Sequence, residues 1–261
     1  MRIIVLVKEV PDTYGERTLS LETGLAERDR GETVLDEIGE RALEAALAYA
    51  ESTDGATVSV MSMGRASAVT ALRKALAMGA HDAVLVADDA LQGADLGLTA
   101  RVLAAALRRT GFDLVVTGNL STDGSGGVLP AMLAELLAVP HATALTTLAI
   151  AGDRVSGDRV DDEGVARVSA PLPAVISITE ALPDPRFPTF KGIMAAKKKP
   201  MQTWSLADIG VDPSLVGLSV AWSEVAETTE RPPRSQGEIV KDEDGSGAKA
   251  LADFLAAKKF I

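Results

Sequence analysis

Cysteine is absent from the 261 residues. That excludes disulfides, thiolate catalysis and Cys-ligated metals together, and points to a reducing cytoplasm. Aromatic residues make up only 3% of a chain that is 47% apolar, so the core must be built mostly from Ala, Val, Leu and Ile. No apolar run approaches the roughly 18 residues of a membrane span. The opening MRIIVLVKEV reads as a strand running into Lys8 and lacks the cleavage pattern of a secretory signal. The two histidines, His81 and His141, have no Ser or Asp constellation around them and read as structural, and no metal site is expected. Basic residues are outnumbered, giving a net charge of −11 that argues against non-specific nucleic-acid binding. Neither GxGxxG nor GxxxxGK[ST] occurs, so neither common phosphate-loop fingerprint applies.

Short buried runs alternating with helical spacing are present throughout the first half. Arg2–Val7 is a continuous apolar run suited to a parallel strand covered on both faces. Lys8 to Tyr14 reads as a loop leaving the carboxyl end of that strand. Leu35 to Ile38 opens a helix with Asp36 as N-cap and an inner stripe of Ile38, Ala42, Ala45, Ala46 and Tyr49. Strands follow at 57–63, 83–86 and 114–118, with helices at 66–78 and 98–109. Strands alternating with helices of this length imply βαβ units, right-handed crossovers and a mostly parallel, doubly wound α/β sheet.

The stretch 113–137, DLVVTGNLSTDGSGGVLPAMLAELL, organises the rest. It reads as strand, Gly-rich loop and helix, with Pro130 in the first helical turn. Such a junction offers outward N–H groups, small residues that admit close approach, and a helix dipole favouring negative charge. An ordinary βα turn has the same residues. After Pro140 the pattern changes to short alternating runs at 142–150, 154–160 and 165–169, read as a small β meander, with 174–179 as one more buried strand.

Residues 181–200 have no core-like run and hold four of the twelve prolines. Five basic residues there face one acidic residue, Asp184, giving a +4 loop on an acidic chain, which suits a docking surface. The main domain is expected over 1–200. A C-terminal extension over 201–261 follows, with a linker at 231–247 and a terminal helix at 248–260 that packs on its own body or on a partner.

Four strings carry a family resemblance: VKEVPD (7–12), ALAMGAHDAV (75–84), DLVVTGNLSTDG (113–124) and LPAVISITEALPDPRFPTFKGIMAAKKK (172–199). Over roughly 2–200 the chain resembles the β subunits of electron-transfer flavoproteins in their actinobacterial form. The resemblance implies an adenine-nucleotide α-hydrolase-like fold, a heterodimer with an α subunit holding most FAD contacts, and one AMP in this subunit. It further implies electron transfer without a substrate of its own: dehydrogenases such as acyl-CoA dehydrogenases donate, and a membrane quinone oxidoreductase accepts. Carried over, the AMP site comprises Leu6, Asp36, Gly39, Met63, Ser121, Thr122, Asp123, Gly124, Ser125, Gly126, Gly127 and Met132. Tyr14 or its neighbour Thr13 approaches the flavin.

Two positions depart from the family. Asp36 stands where Asn is common, and Asp123-Gly124-Ser125-Gly126-Gly127 replaces an Asp-x-Asp-Thr-x-Gln loop, which shifts phosphate contacts to backbone N–H groups and to Ser121, Thr122 and Ser125. On the recognition loop, Phe190 is the apolar anchor for a partner dehydrogenase, with Arg186, Lys191, Ile193, Met194 and Lys197 around it. Two other readings concern the same residues: Phe190 folded into its own core, and Lys197 to Lys199 as plain solvated charge. A nucleotide sensor without electron transfer, and a second FAD in place of AMP, also fit this fold and loop.

Overall fold

The computed structural model describes residues 1–233, 237, 239–242 and 245–261. In chain order the elements are β1 (Arg2–Leu6), β2 (Glu9–Pro11), β3 (Thr33–Leu35), α1 (Glu37–Glu51), β4 (Thr57–Met63), α2 (Val69–Met78), β5 (Asp82–Val86), α3 (Leu96–Thr110), β6 (Leu114–Gly118), α4 (Leu129–Leu137), β7 (His141–Leu145), β8 (Ala149–Ala151), β9 (Arg154–Asp161), β10 (Gly164–Pro171), β11 (Ala174–Ile178), α5 (Phe190–Ala196), β12 (Met201–Trp204) and α6 (Gly247–Ala257). Residues 1–228 form one compact unit and 229–261 a second.

A ten-stranded sheet runs in the order β10-β9-β7-β11-β6-β1-β4-β5-β12, with β8 on β9. The strands from β7 to β12 in that order pair in parallel. β9, β10 and β8 extend it in antiparallel fashion. Strand β1 sits at the centre, and its alternate residues divide between two cores. Ile3 and Val5 face the helices α1 and α2, whereas Ile4 and Leu6 face α3 and α4. This two-sided burial is why the run reads apolar at every position.

The chain steps from β1 to β4 and β5, then α3 carries it back across to β6 on the other side of β1. Strands β1 and β6 therefore border the place where the winding reverses, and ligands of such sheets sit at that crevice, outside the carboxyl ends. Residues Lys8, Met63 and Asn119 all lie there.

Four expectations change in detail. The loop after β1 contains β2, which pairs antiparallel with β3, because Val10 is apolar enough to be buried at that point. The first run of the meander divides: β7 is a parallel partner of β11, and only β8 to β10 form the antiparallel extension. Residues 181–200 include α5, capped by Thr189, whose side chain accepts from the Gly192 amide at 3.1 Å. The boundary expected after Pro200 does not coincide with the division at 228, since β12 pairs with β5 and Leu206 and Val216 enter the α3/α4 core.

Helix α5 is fastened to the carboxyl end of α2. Lys199 Nζ donates to the carbonyls of Leu76 at 2.9 Å and Ala80 at 2.6 Å. A cation at that end also meets the negative pole of the helix dipole. Burial pushes the Lys199 ammonium below the usual lysine range. Gly192 makes the contact possible, because a Cβ there would lie 2.3 Å from the Ala77 carbonyl oxygen. Gly192→Ala must therefore lift α5 off α2, at about 1–3 kcal/mol for forced overpacking. Urea unfolding that shows no loss of stability in this variant would refute the packing account.

Candidate functional site

The carboxyl ends of β1 and β6 and the start of α1 meet at one place. Helix α1 approaches β6 closely because residue 118 is glycine: a Cβ there would come 2.6 Å from the Ile38 side chain. Gly39 likewise packs on Val7. The approach brings Asp36 beneath the Gly-rich loop. Asp36 occupies the N-cap position of α1, but its carboxylate does not cap the helix. Its Oδ2 instead accepts from the Thr122 amide at 3.0 Å, and its own amide donates to the Lys8 carbonyl at 2.9 Å.

Among the described residues, Asp36 Oδ1 and Thr122 Oγ1 are buried without a hydrogen-bond partner, and so is Ser62 Oγ near the end of β4. Asp36 is only 1% exposed. Burial pushes its pKa above the usual aspartate value, against the opposing bonds from Thr122. A buried, half-satisfied carboxylate is costly to the fold and suits a ligand that donates to it.

Asp123 is the opposite case. Its side chain is 7% exposed, and Lys8 Nζ lies 2.7 Å from Oδ1 while Arg28 lies 2.5 Å from Oδ2. The Gly124 amide donates to Oδ1 at 2.7 Å as well. Burial alone would raise this pKa, but the charge of Lys8 and the bonds from Lys8, Arg28 and Ser121 outweigh it and hold the group far below the usual range. Lys8 also reaches Ser121 Oγ at 3.3 Å, the Ser125 amide donates to the Ser121 carbonyl at 2.9 Å, and Arg17 donates to the Thr122 carbonyl. The loop is thus braced from inside through Ser121 to Ser125. Gly124, Gly126 and Gly127 are exposed, and Gly127 has φ +69°, a conformation that favours glycine.

Leu6, Met63 and Met132 belong to the apolar cluster on the α3/α4 side and form the apolar flank of the same crevice. The donor set fits a nucleotide: small exposed residues, an apolar flank, a buried acceptor with a free lone pair, and cations at the loop. Lys8, Arg17 and Arg28 were not legible as site residues. Arg28 reaches Asp123 across 95 positions, and no local pattern encodes such a pair. Tyr14 lies on the segment between β2 and β3 and is 95% exposed, and its amide donates to Asp12 Oδ1 at 3.0 Å. A groove of about 520 Å³ lies elsewhere, between α1 and residues 146–150 and 181–183. Its lining is largely apolar, with Arg41 engaged on the Leu182 carbonyl at 2.5 Å and on Asp184.

The second region is the segment entering α5. Phe190, the first residue of that helix, is 81% exposed and Phe187 91% exposed, with Ile193 and Met194 half exposed beside them. The ring of Phe190 is therefore not folded into its own core, and it stands on a helix rather than a loop. Arg186 is not free for a partner. It binds α1, with Nε and Nη2 at 2.7 and 2.9 Å from the Glu44 carboxylate and a further pair with Glu51. Hydrogen bonds from Arg186 lower the pKa of Glu44 despite partial burial, and Arg186 is raised in turn. Lys199 is likewise committed to α2, which leaves Lys191, Lys197 and Lys198 as the exposed cations.

The raised pKa of Asp36 has a stability consequence with a definite sign. A carboxyl raised above its unfolded value of 3.8 contributes stability in its protonated form, and that contribution is lost as pH rises through the native pKa. Asp36→Asn is neutral at every pH. The melting temperature of Asp36→Asn relative to the natural chain should therefore be highest at neutral pH and shrink as the solution is acidified. A gap that stays constant or widens in acid would refute the burial account.

Residues 23–209 match the electron transfer flavoprotein domain. The chain is 46% identical over 264 residues to the electron transfer flavoprotein subunit beta of Mycobacterium leprae, covering 99% of each chain. It is 33% identical over 266 residues to the subunit of the same name from Bacillus subtilis, covering 99% of this chain and 98% of that one. A caffeyl-CoA reductase-Etf complex subunit of Acetobacterium woodii is 32% identical over 259 residues, covering 99% of this chain and 97% of that one. The chain belongs to the electron transfer flavoprotein family, as a β subunit of the actinobacterial type.

Proposed function

We propose that the chain works in the cytoplasm as the β half of a heterodimeric electron carrier. It accepts electrons from dehydrogenases such as acyl-CoA dehydrogenases and delivers them towards quinone through a membrane quinone oxidoreductase. It turns over no substrate of its own. FAD, held mainly by the α subunit, supplies the electron chemistry when bound. This chain supplies Tyr14 on the flavin side, an AMP site that stabilises the subunit, and a docking helix. Leu6, Met63 and Met132 flank the adenosine, Asp36 accepts a hydrogen bond from it, and the loop from Ser121 to Gly127 meets the phosphate. Gly39 serves by letting α1 lie close. Helix α6, with Leu251 and Phe254 on its surface, packs on the α subunit.

The observation that carries the reading is the pair of exposed rings at the start of α5. Phe187 and Phe190 stand in solvent together, beside Ile193, Met194 and three exposed lysines. An apolar anchor with a charged rim is the anatomy of a binding hot spot. Arg186 holds the segment against α1, so the rings are presented in a set position. The Acetobacterium relative, named for a CoA-linked reductase complex, supports a CoA-ester dehydrogenase as the donor.

Co-expression with the α subunit, followed by denaturation, should release one FAD and one AMP per heterodimer. Two flavins and no AMP would overturn the nucleotide assignment. Burying Phe190 in a partner pocket is worth about 2 kcal/mol. Phe190→Ala should slow electron transfer from the dehydrogenase about ten-fold or more, since 1.4 kcal/mol is a factor of ten. Flavin content, AMP content and melting temperature should stay nearly unchanged. A normal transfer rate would remove the docking role.

A further inference from the structure

The cluster around Asp123 has a form that a plain structural ion pair does not require. One nearly buried carboxylate takes two cations, Lys8 and Arg28, and also the Gly124 amide. A third cation, Arg17, is held on the adjacent Thr122 carbonyl. The local balance is positive, at the loop that precedes a helix N-terminus, where an anion is favoured. The carboxylate thus stands where the loop and two cations converge, and a phosphate oxygen needs the same partners. Close by, the 1%-exposed Asp36 keeps Oδ1 without a hydrogen-bond partner among the described residues, a buried acceptor that a donor on a ligand would satisfy.

We propose that Asp123 is a built-in competitor for the ligand phosphate: Lys8 and Arg28 hold its carboxylate in the empty site and a nucleoside monophosphate in the filled one. The proposal rests on the nucleotide-site reading and adds the residues that govern phosphate affinity. A phosphate carries about −1.5 to −2 charges at neutral pH and is repelled by a carboxylate held on the same cations. The exchange is between anions, so no cation is left buried and unpaired at any stage. The exchange asks the loop to turn Asp123 outward, and small residues follow it. Gly124 follows it directly, Gly126 and Gly127 are exposed, and a Cβ on Gly127 would meet nothing within 4 Å. Arg28 lies between β2 and β3 on the same segment as Tyr14, so the exchange reaches the segment assigned to the flavin side.

Titration calorimetry of the full chain, freed of nucleotide, with AMP and with adenosine tests this. Asp123→Asn should bind AMP about ten-fold more tightly, with adenosine affinity unchanged, because only the phosphate competes with the carboxylate. Adding Lys8→Gln to that variant should cancel the gain. Unchanged or weaker AMP binding by Asp123→Asn would overturn the proposal and leave Asp123 as a brace for the loop. If Asp123→Asn does not fold, Lys8→Gln alone decides: AMP should weaken about ten-fold and adenosine not at all, and an equal loss for both overturns it. Binding of neither ligand to any form refutes the nucleotide site itself, and this proposal with it.

Discussion

The parallel pairing of β1 between β4 and β6 is the constraint on which the rest depends. Hydrogen bonds from Arg2 to Leu6 to β4, and from Ile3 to Val5 to β6, place three carboxyl ends side by side. Both faces of β1 are buried, so a one-residue slip would exchange Ile3 and Val5 with Ile4 and Leu6 between the two cores. The register is thereby specified by packing on both sides. The winding reverses at β1 and β6, and the Gly-rich loop and the start of α1 border the crevice at their ends.

Charge is distributed around that crevice in two contrasting ways. Asp36 is an anion that the fold buries and only half satisfies, whereas Asp123 is an anion held by Lys8, Arg28 and the Gly124 amide. The first is pushed toward protonation and the second held ionised, although they interact directly. The difference comes from the cations. Lys8 leaves β1 and Arg28 comes from the segment between β2 and β3, and both are directed at Asp123 instead of Asp36. The small β2–β3 ladder, braced by Thr33 and Ser67 hydroxyls donating to the buried Glu9 carboxylate, sets where that segment begins and ends.

The segment entering α5 is likewise positioned by a few strong contacts. Arg186 fastens the approach to α1, Lys199 and Gly192 fasten α5 to α2, and Phe187 and Phe190 are left in solvent between them. Of the five basic residues in that stretch, two are bound into the body and three remain at the surface. A basic count on a sequence therefore overstates the charge a partner would meet. The exposure of Phe187 and Phe190, by contrast, is not read from a count.

Much of the architecture was legible in the residues themselves. Strand β6 was read at 114–118 and observed there, and the alternation of apolar runs with helical spacing implied the parallel sheet, because both patterns are local consequences of two-sided burial. The strings around 7–12, 113–124 and 172–199 were enough to indicate the family. Three things were decided only by tertiary structure. The segment 181–200 became partly helical because Thr189 caps it and α2 receives it, and a Pro-rich, charged stretch shows neither. Arg186 turned inward because Glu44 and Glu51, about 140 positions away, lie on the facing side of α1. Lys8 and Arg28 became site residues because the fold brings them to Asp123 from positions 115 and 95 residues distant, where periodicity carries no information.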